Sequence, residues 1–212
     1  MFVGDRMNQP VITVAPDLPI VDALNLMKSK HIRRTPVVKD GKLVGIISDK
    51  DLLNASPSPV TSLSIWEMNY LLSKVTVEQF MSKNVMTVTE DMPIEQAARI
   101  MADNKIGGLP VMRDGHVVGI ITETDLFKVF LELLGAREHG VRVTALIEDK
   151  PGRLAALTEA IAAKKGNFIA FGQFTDADLS NKIVTFKVKG LTLEEVKGAV
   201  EPVVKEIRDI RS

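Results

Sequence analysis

The sequence predicts an α/β (α+β) protein: a tandem module closed about a pseudo-twofold axis, followed by a smaller C-terminal β-α-β-β-α-β domain. Three observations predict it. Residues 7–53 align without a gap on residues 81–127, with 20 of 47 positions identical. Within each copy, period-2 apolar stretches alternate with period-3.6 stripes, which places strands and helices in one unit. Beyond Gly135 the pattern changes to a new strand-helix series. An internal repeat governs the reading of everything else. Two similar units can pack face to face and present paired, near-equivalent clefts, so a binder with two sites is expected.

Each repeat follows one plan. A short extended stretch (Val11-Ile12-Thr13-Val14; Val85-Met86-Thr87-Val88) leads to Asp17 or Asp91 and then to Pro19 or Pro93. Asp is a good N-cap, and proline is harmless in a first turn, so a helix capped by these aspartates is expected. Its apolar stripe is Ile20, Ala23, Leu24, Met27, and again Ile94, Ala97, Ala98, Met101, the i, i+3, i+4, i+7 spacing of one buried face. Asp40-Gly41 and Asp114-Gly115 each separate two apolar runs and predict β-hairpins. A second helix is expected from Ser48 or Thr122. Between the repeats, Ala55-Ser56-Pro57-Ser58-Pro59 stops the helix, and Ser64–Leu72, with Trp66 and Tyr70 at i and i+4, predicts a linker helix that either braces the repeats or serves as a lid or partner surface.

In the tail, Val141, Val143, Ala145 and Ile147 alternate with polar residues as in a half-buried strand. Asp149-Lys150-Pro151-Gly152 turns into a helix carrying Leu154, Leu157 and Ile161, and Gly166-Asn167 ends it. Strands are expected at Phe168–Phe174 and around Val184–Val188. Thr192-Leu193-Glu194-Glu195 fits a capping box, opening a helix with Val196, Ala199, Val200, Val203 and Ile207. A short last strand is expected at Arg208–Arg211. That order is ferredoxin-like. The expected boundaries are 1–56 for the first motif, 57–75 for the linker helix, 76–134 for the second motif and 140–212 for the C-terminal domain.

Composition narrows the function. The 212 residues are 45 % hydrophobic and 25 % charged, and 27 Lys plus Arg balance 27 Asp plus Glu. Neither nucleic acid nor a membrane surface is expected as a bulk electrostatic partner. The absence of cysteine removes disulfides, thiolate metal sites and a thiol nucleophile. The N-terminus lacks a basic-then-apolar secretion signal, and no apolar run approaches the roughly 20 residues of a membrane span. A cytoplasmic protein is expected. No metal-ligand spacing, nucleophile elbow or phosphate loop occurs, so no enzyme is expected.

The sharpest repeated constellation is Gly45-Ile46-Ile47-Ser48-Asp49-Lys50-Asp51, matched by Gly119-Ile120-Ile121-Thr122-Glu123-Thr124-Asp125. Each delivers a hydroxyl to a helix start, where free N–H groups favour phosphate. A carboxylate three residues on can accept from the two hydroxyls of a ribose. The same pattern is also a plain helix cap, and the two readings are compatible. Arg33-Arg34, before Thr35-Pro36, is a second candidate phosphate grip or else a solvated surface pair. Its counterpart is Gly107-Gly108, so the first cleft is expected to be the better equipped for phosphates.

These residues carry a resemblance. Both repeats resemble CBS motifs, and the tail from Val143 to Leu154 looks like an ACT domain. Two CBS motifs followed by one ACT domain is similar to the acetoin-utilisation (AcuB) type. The resemblance implies a regulatory module binding AMP, ADP, ATP or S-adenosylmethionine, with no cofactor required. It assigns phosphate to Ser48 and Thr122 and ribose to Asp51 and Asp125, with Lys50 and Thr124 between them. Ile12 and Thr13, or Met86 and Thr87, would face adenine. So would the stretches Arg33, Arg34, Thr35, Pro36 and Gly108, Leu109, Pro110. The ACT likeness adds amino-acid contacts at Asp149, Pro151 and Gly152, although the turn lacks an adjacent asparagine, and implies a homodimer. A partner enzyme joins the small molecule and the second copy among the partners considered, and the regulated output is left open. The alternatives are a ligand-free structural adaptor, or an amino-acid sensor acting through the ACT domain on such an enzyme.

Overall fold

The computed structural model describes residues 1–55 and 73–212. The expected linker helix, with Trp66 and Tyr70, lies almost wholly outside the described residues. The chain divides into two compact units, Met1–Leu126 and Phe127–Ser212.

In the first unit, the first repeat contains α1 (Ile20–Ser29), β1 (Arg34–Lys39), β2 (Lys42–Ser48) and α2 (Asp49–Asn54). The second contains β3 (Val88–Thr89), α3 (Ile94–Asn104), β4 (Gly108–Arg113), β5 (His116–Thr122) and the start of α4 (Glu123–Leu133). Three of the four positions of each stripe bury, Ile20, Ala23 and Met27 on α1 and Ile94, Ala97 and Met101 on α3, while Leu24 and Ala98 are half-buried. The expected aspartate caps do not form. Pro19 and Pro93 occupy the N-cap positions without a side-chain bond, and Asp91 accepts from the Thr89 hydroxyl instead. The first helical donors find backbone partners elsewhere, Ile20 N on the Val75 carbonyl (3.0 Å) and Ile94 N on the Met1 carbonyl (3.2 Å).

Both hairpins turn on residues in the left-handed region, Asp40 and Gly41 (φ 50° and 76°) and Asp114 and Gly115 (φ 50° and 79°). Two consecutive positive φ values match the right-handed twist of the flanking strands. The registers are equivalent, Arg34 opposite Ser48 in one hairpin and Gly108 opposite Thr122 in the other, with matching bulges at Val37/Val38 and Val111/Met112. Val14 bridges Val37 in parallel, as Val88 pairs with Val111.

The repeats are locked by an exchange of their leading segments. Residues 1–8 precede the first repeat but pack on the second: Val3 N donates to Met92 O and Gly4 N to Glu90 O, both at 2.9 Å, and Asn8 bridges Ile120. Residues 75–82 precede the second repeat and pack on the first: Val77 N donates to Leu18 O (3.0 Å), Glu78 N to Pro16 O (2.9 Å), and Ser82 bridges Ile46. Val3 and Val77 are fully buried. The methionine before each bridge lies flat on a glycine. A Cβ added to Gly119 would stand 2.4 Å from Met7 Sδ, and one added to Gly45 would stand 2.4 Å from Met81 Sδ. Both glycines are therefore dictated by close approach.

The second unit contains β6 (Val141–Glu148), α5 (Arg153–Ala163), β7 (Asn167–Thr175), β8 (Asn181–Lys189), α6 (Leu193–Val200) and β9 (Glu206–Arg211). The sheet order is β7-β8-β6-β9 and every pairing is antiparallel. One face of β6 (Val141, Val143, Ala145, Ile147) packs with Val184, Phe186 and Val188 of β8, Leu157 and Ile161 of α5, and Val196 and Val200 of α6. The Thr192–Glu195 capping box forms. The helix expected to continue to Ile207 ends at Val200. Pro202, which has no N–H to donate, sits in the 3₁₀ turn Glu201–Val203, and Ile207 lies in β9.

The exchange makes a specific prediction. Gly45→Val and Gly119→Val each place methyl groups where a methionine sulfur already lies, and overpacking of this kind costs about 1–3 kcal/mol. Thermal denaturation should show comparable losses for the two variants. A loss in only one would mean that only one segment is docked.

Candidate ligand-binding clefts

The two hydroxyl–carboxylate pairs are built alike. Each strand of the Gly-Ile-Ile run ends at the residue that opens the next helix. Ser48 donates to Asp51 Oδ2 through its N–H (2.9 Å) and its hydroxyl (2.6 Å), and Ser48 Oγ accepts from Asp51 N (3.2 Å). Thr122 donates to Asp125 Oδ2 through N–H (3.0 Å) and hydroxyl (2.6 Å). The full capping box forms at Ser48–Asp51, and at Thr122–Asp125 the same carboxylate bonds form.

A cleft of about 450 Å³ opens at the first pair. Ser48, Asp51 and Arg34 come from the first repeat, and Met86, Gly107 and Gly108 from the second. Pockets of this size suit small molecules. Its walls combine Ile46, Ile47 and Ile106 with Ser82, Asn84 and Lys105. Met86 is half exposed and so leaves an apolar surface facing solvent.

Arg34 corrects the expected division of labour between the repeats. Its counterpart, Gly108, lies directly beneath it: a Cβ there would stand 2.8 Å from Arg34 Cδ. A residue that touches its own repeat counterpart lies near the pseudo-twofold axis. A Cβ on Gly107 would stand 2.4 Å from Arg34 Nη2 and 2.7 Å from Glu123 Oε2. The two glycines are the floor on which the guanidinium rests, not the ungripped equivalent of a separate site. Burial lowers the Arg34 pKa from the ordinary guanidinium value. Glu123 opposes that shift, Arg33 adds to it, and Asp49 and Asp51 oppose it further. Arg33 also reaches across, donating to Thr124 Oγ1 at 3.1 Å.

The remaining candidates divide by burial. Thr35 is fully buried and its hydroxyl donates to the Ile12 carbonyl, while Pro36, Leu109 and Pro110 are buried within their strands. Ile12 is partly buried, and Thr13, Lys50, Thr87 and Thr124 are exposed. Asp125 is buried, at 4 % exposure, and its Oδ2 also accepts from Asn8 Nδ2 at 2.7 Å. In the second unit, Asp149, Pro151 and Gly152 form an exposed turn, with Asp149 paired to Lys182 at 3.3 Å and Gly152 at φ 85°. Asn8, Ser82, Asn84 and Lys105 were not singled out from the sequence. For Asn8 and Ser82 the signal was present, since they occupy equivalent positions after Met7 and Met81. Among the described residues, no helix is long and apolar enough to cross a membrane.

Comparison with known proteins identifies the family of the first unit. A CBS domain-containing protein of Dictyostelium discoideum is 32 % identical over 136 residues, covering 63 % of this chain and 94 % of its own. Among solved structures, a CBS domain pair in complex with 5′-methylthioadenosine and S-adenosylmethionine superposes with a TM-score of 0.52 at 32 % identity, covering 65 % of this chain and 98 % of that one. A putative acetoin utilisation protein (AcuB) from Vibrio cholerae gives 0.53 at 31 % identity, covering 65 % and 96 %. A CBS protein in complex with AMP gives 0.50 at 32 % identity, covering 61 % and 96 %. The CBS domain family matches residues 3–58 and 77–132, more than half of the sequence, and the chain belongs to that family.

Proposed function

We propose that this protein is a regulatory sensor that binds an adenosine-type ligand in the cleft at Ser48, Asp51 and Arg34. The observation that carries the reading is the make-up of that cleft. A carboxylate able to accept from a ribose diol, a guanidinium and hydroxyl able to hold phosphate, and an exposed Met86 able to cover a base stand around one space of about 450 Å³. The similarity to CBS pairs solved with AMP and with S-adenosylmethionine supports the same ligand class. Because the cleft draws on both repeats, a ligand there contacts two bodies at once. It would regulate by preferring one arrangement of them, since equal affinity for two states shifts neither. The signal would pass to a partner enzyme.

The capping box also supports the ligand-free adaptor, because Ser48 and Asp51 satisfy each other without a guest. Calorimetric titration separates the readings. Asp51→Ala should weaken AMP binding by about 1.5–3 kcal/mol, the scale of hydrogen bonds to a charged group, whereas loss of a helix cap alone costs about 1 kcal/mol of stability. Arg34→Ala should weaken AMP more than adenosine. Unchanged affinity in both variants, with only the melting temperature lowered, would favour the adaptor.

We read the second unit as a ferredoxin-like domain of the ACT type that pairs two chains. Its element order and its β7-β8-β6-β9 sheet support this. So do its edge strands β7 and β9, whose outer backbone groups a second copy could satisfy. The amino-acid role of Asp149, Pro151 and Gly152 is the weaker part of that reading, since Asp149 is engaged by Lys182. Light scattering should give twice the 23.3 kDa chain mass for the intact protein, and residues 127–212 expressed alone should also dimerise. A folded monomer of that unit would move the contact elsewhere.

A further inference from the structure

We infer that Asn8 makes the two nucleotide positions of this CBS pair non-equivalent, so that each chain takes one adenosine-type ligand, at Asp51, and not two. The inference rests on the adenosine-type reading above and concerns a residue of the leading segment, outside both hydroxyl–carboxylate motifs.

The comparison is internally controlled by the repeat. Asn8 and Ser82 are equivalent residues, and their main chains are held identically. Asn8 N donates to Ile120 O at 2.8 Å and Ile120 N to Asn8 O at 3.2 Å. Ser82 N donates to Ile46 O at 2.9 Å and Ile46 N to Ser82 O at 3.0 Å. Only the side chains differ. The longer Asn8 amide reaches the ribose-type carboxylate of the second motif, donating from Nδ2 to Asp125 Oδ2 at 2.7 Å. That oxygen then accepts three bonds, the other two from the N–H and hydroxyl of Thr122. Two acceptor sites per carboxylate oxygen is the ordinary capacity; Asp51 Oδ2 takes two such bonds from Ser48, and the Asn8 amide adds a third on Asp125 Oδ2. Asp125 is 4 % exposed. At the first motif, Asp51 is only partly buried, and its bonds among the described residues come from its own Ser48. Ser82 lines the same cleft.

A ribose diol arriving at Asp125 therefore meets a buried carboxylate that the Asn8 amide already engages, and it competes with that amide for the group. A charge-assisted hydrogen bond of that kind corresponds to about 10- to 100-fold in affinity. Arg33, crossing to Thr124 Oγ1, engages the start of the same helix. In the second repeat the residue equivalent to Arg33 is Gly107, which has no side chain to reach back in the same way.

The test is calorimetric titration of the full chain with AMP and, separately, with S-adenosylmethionine, with melting temperatures recorded for each protein. The unaltered chain should bind one equivalent tightly. Asn8→Ser, which installs the side chain found at position 82, should reveal a second site with affinity within about tenfold of the first. Ser82→Asn should weaken the first site by about 10- to 100-fold. A side-chain amide signal of Asn8 that stays unmoved by one equivalent of AMP in a nuclear magnetic resonance spectrum would support the same claim without any substitution. Two equal sites in the unaltered chain would overturn the inference while leaving the adenosine-type reading intact. So would an Asn8→Ser protein that folds normally and still binds one equivalent. No binding of either ligand by any of the three proteins would overturn both.

Discussion

The first unit depends on two methionine sulfurs seated on two glycines. Met7 on Gly119 and Met81 on Gly45 fasten each leading segment to the repeat it does not belong to. A single CBS motif of this chain leaves gaps that only the other segment fills: a donor at the start of α1 or α3, a backbone edge at Ile46 or Ile120, and an apolar recess for Val77 or Val3. Reciprocal docking supplies all of these at once. Each half thus completes the other, and the exchange is reciprocal about the pseudo-twofold axis.

The same constraint creates the cleft. Ser48 and Asp51 stand at the end of β2, and the segment docked beside Ile46 runs on from Ser82 through Asn84 and Val85 to Met86. The exchange thereby delivers second-repeat residues to a first-repeat motif. Arg34, near the axis, sees acidic groups from both repeats, Glu123 on one side and Asp49 and Asp51 on the other. A phosphate bound beside it would enter a field that both halves set. On the proposed reading, this is the structural reason why a ligand there could couple to the arrangement of the repeats. The duplication also permits divergence: at two equivalent positions, Asn8 bonds the carboxylate of the second motif while Ser82 lines the cleft at the first.

How much of this was legible in the sequence depended on range. The hairpins were, because Asp40-Gly41 and Asp114-Gly115 fit two consecutive positive φ values. The helix faces were, because α1 and α3 keep a 3.6 period. The exchange was not, because contacts between residues far apart in the sequence, such as Thr76 with Pro19 or Asn8 with Ile120, leave no local period. Asp17 was misread as a cap because the donor it would satisfy is taken by the Val75 carbonyl. The end of α6 was misread because Val203 and Ile207 continue the apolar spacing past Pro202, while the chain there passes through a 3₁₀ turn into β9. Of the site, the hydroxyl–carboxylate pairs and Arg34 were identifiable from the repeat. Placing Arg34 and Gly108 in separate clefts failed because residues near a twofold axis meet their own counterparts.

The claim that one cleft is assembled from both repeats is tested most directly by mapping backbone amide shifts during an AMP titration of the intact chain. The account predicts that Ser48 and Asp51 of the first repeat shift together with Met86, Gly107 and Gly108 of the second, all following a single binding curve. Shifts confined to one repeat, or two groups of residues following separate curves, would contradict it.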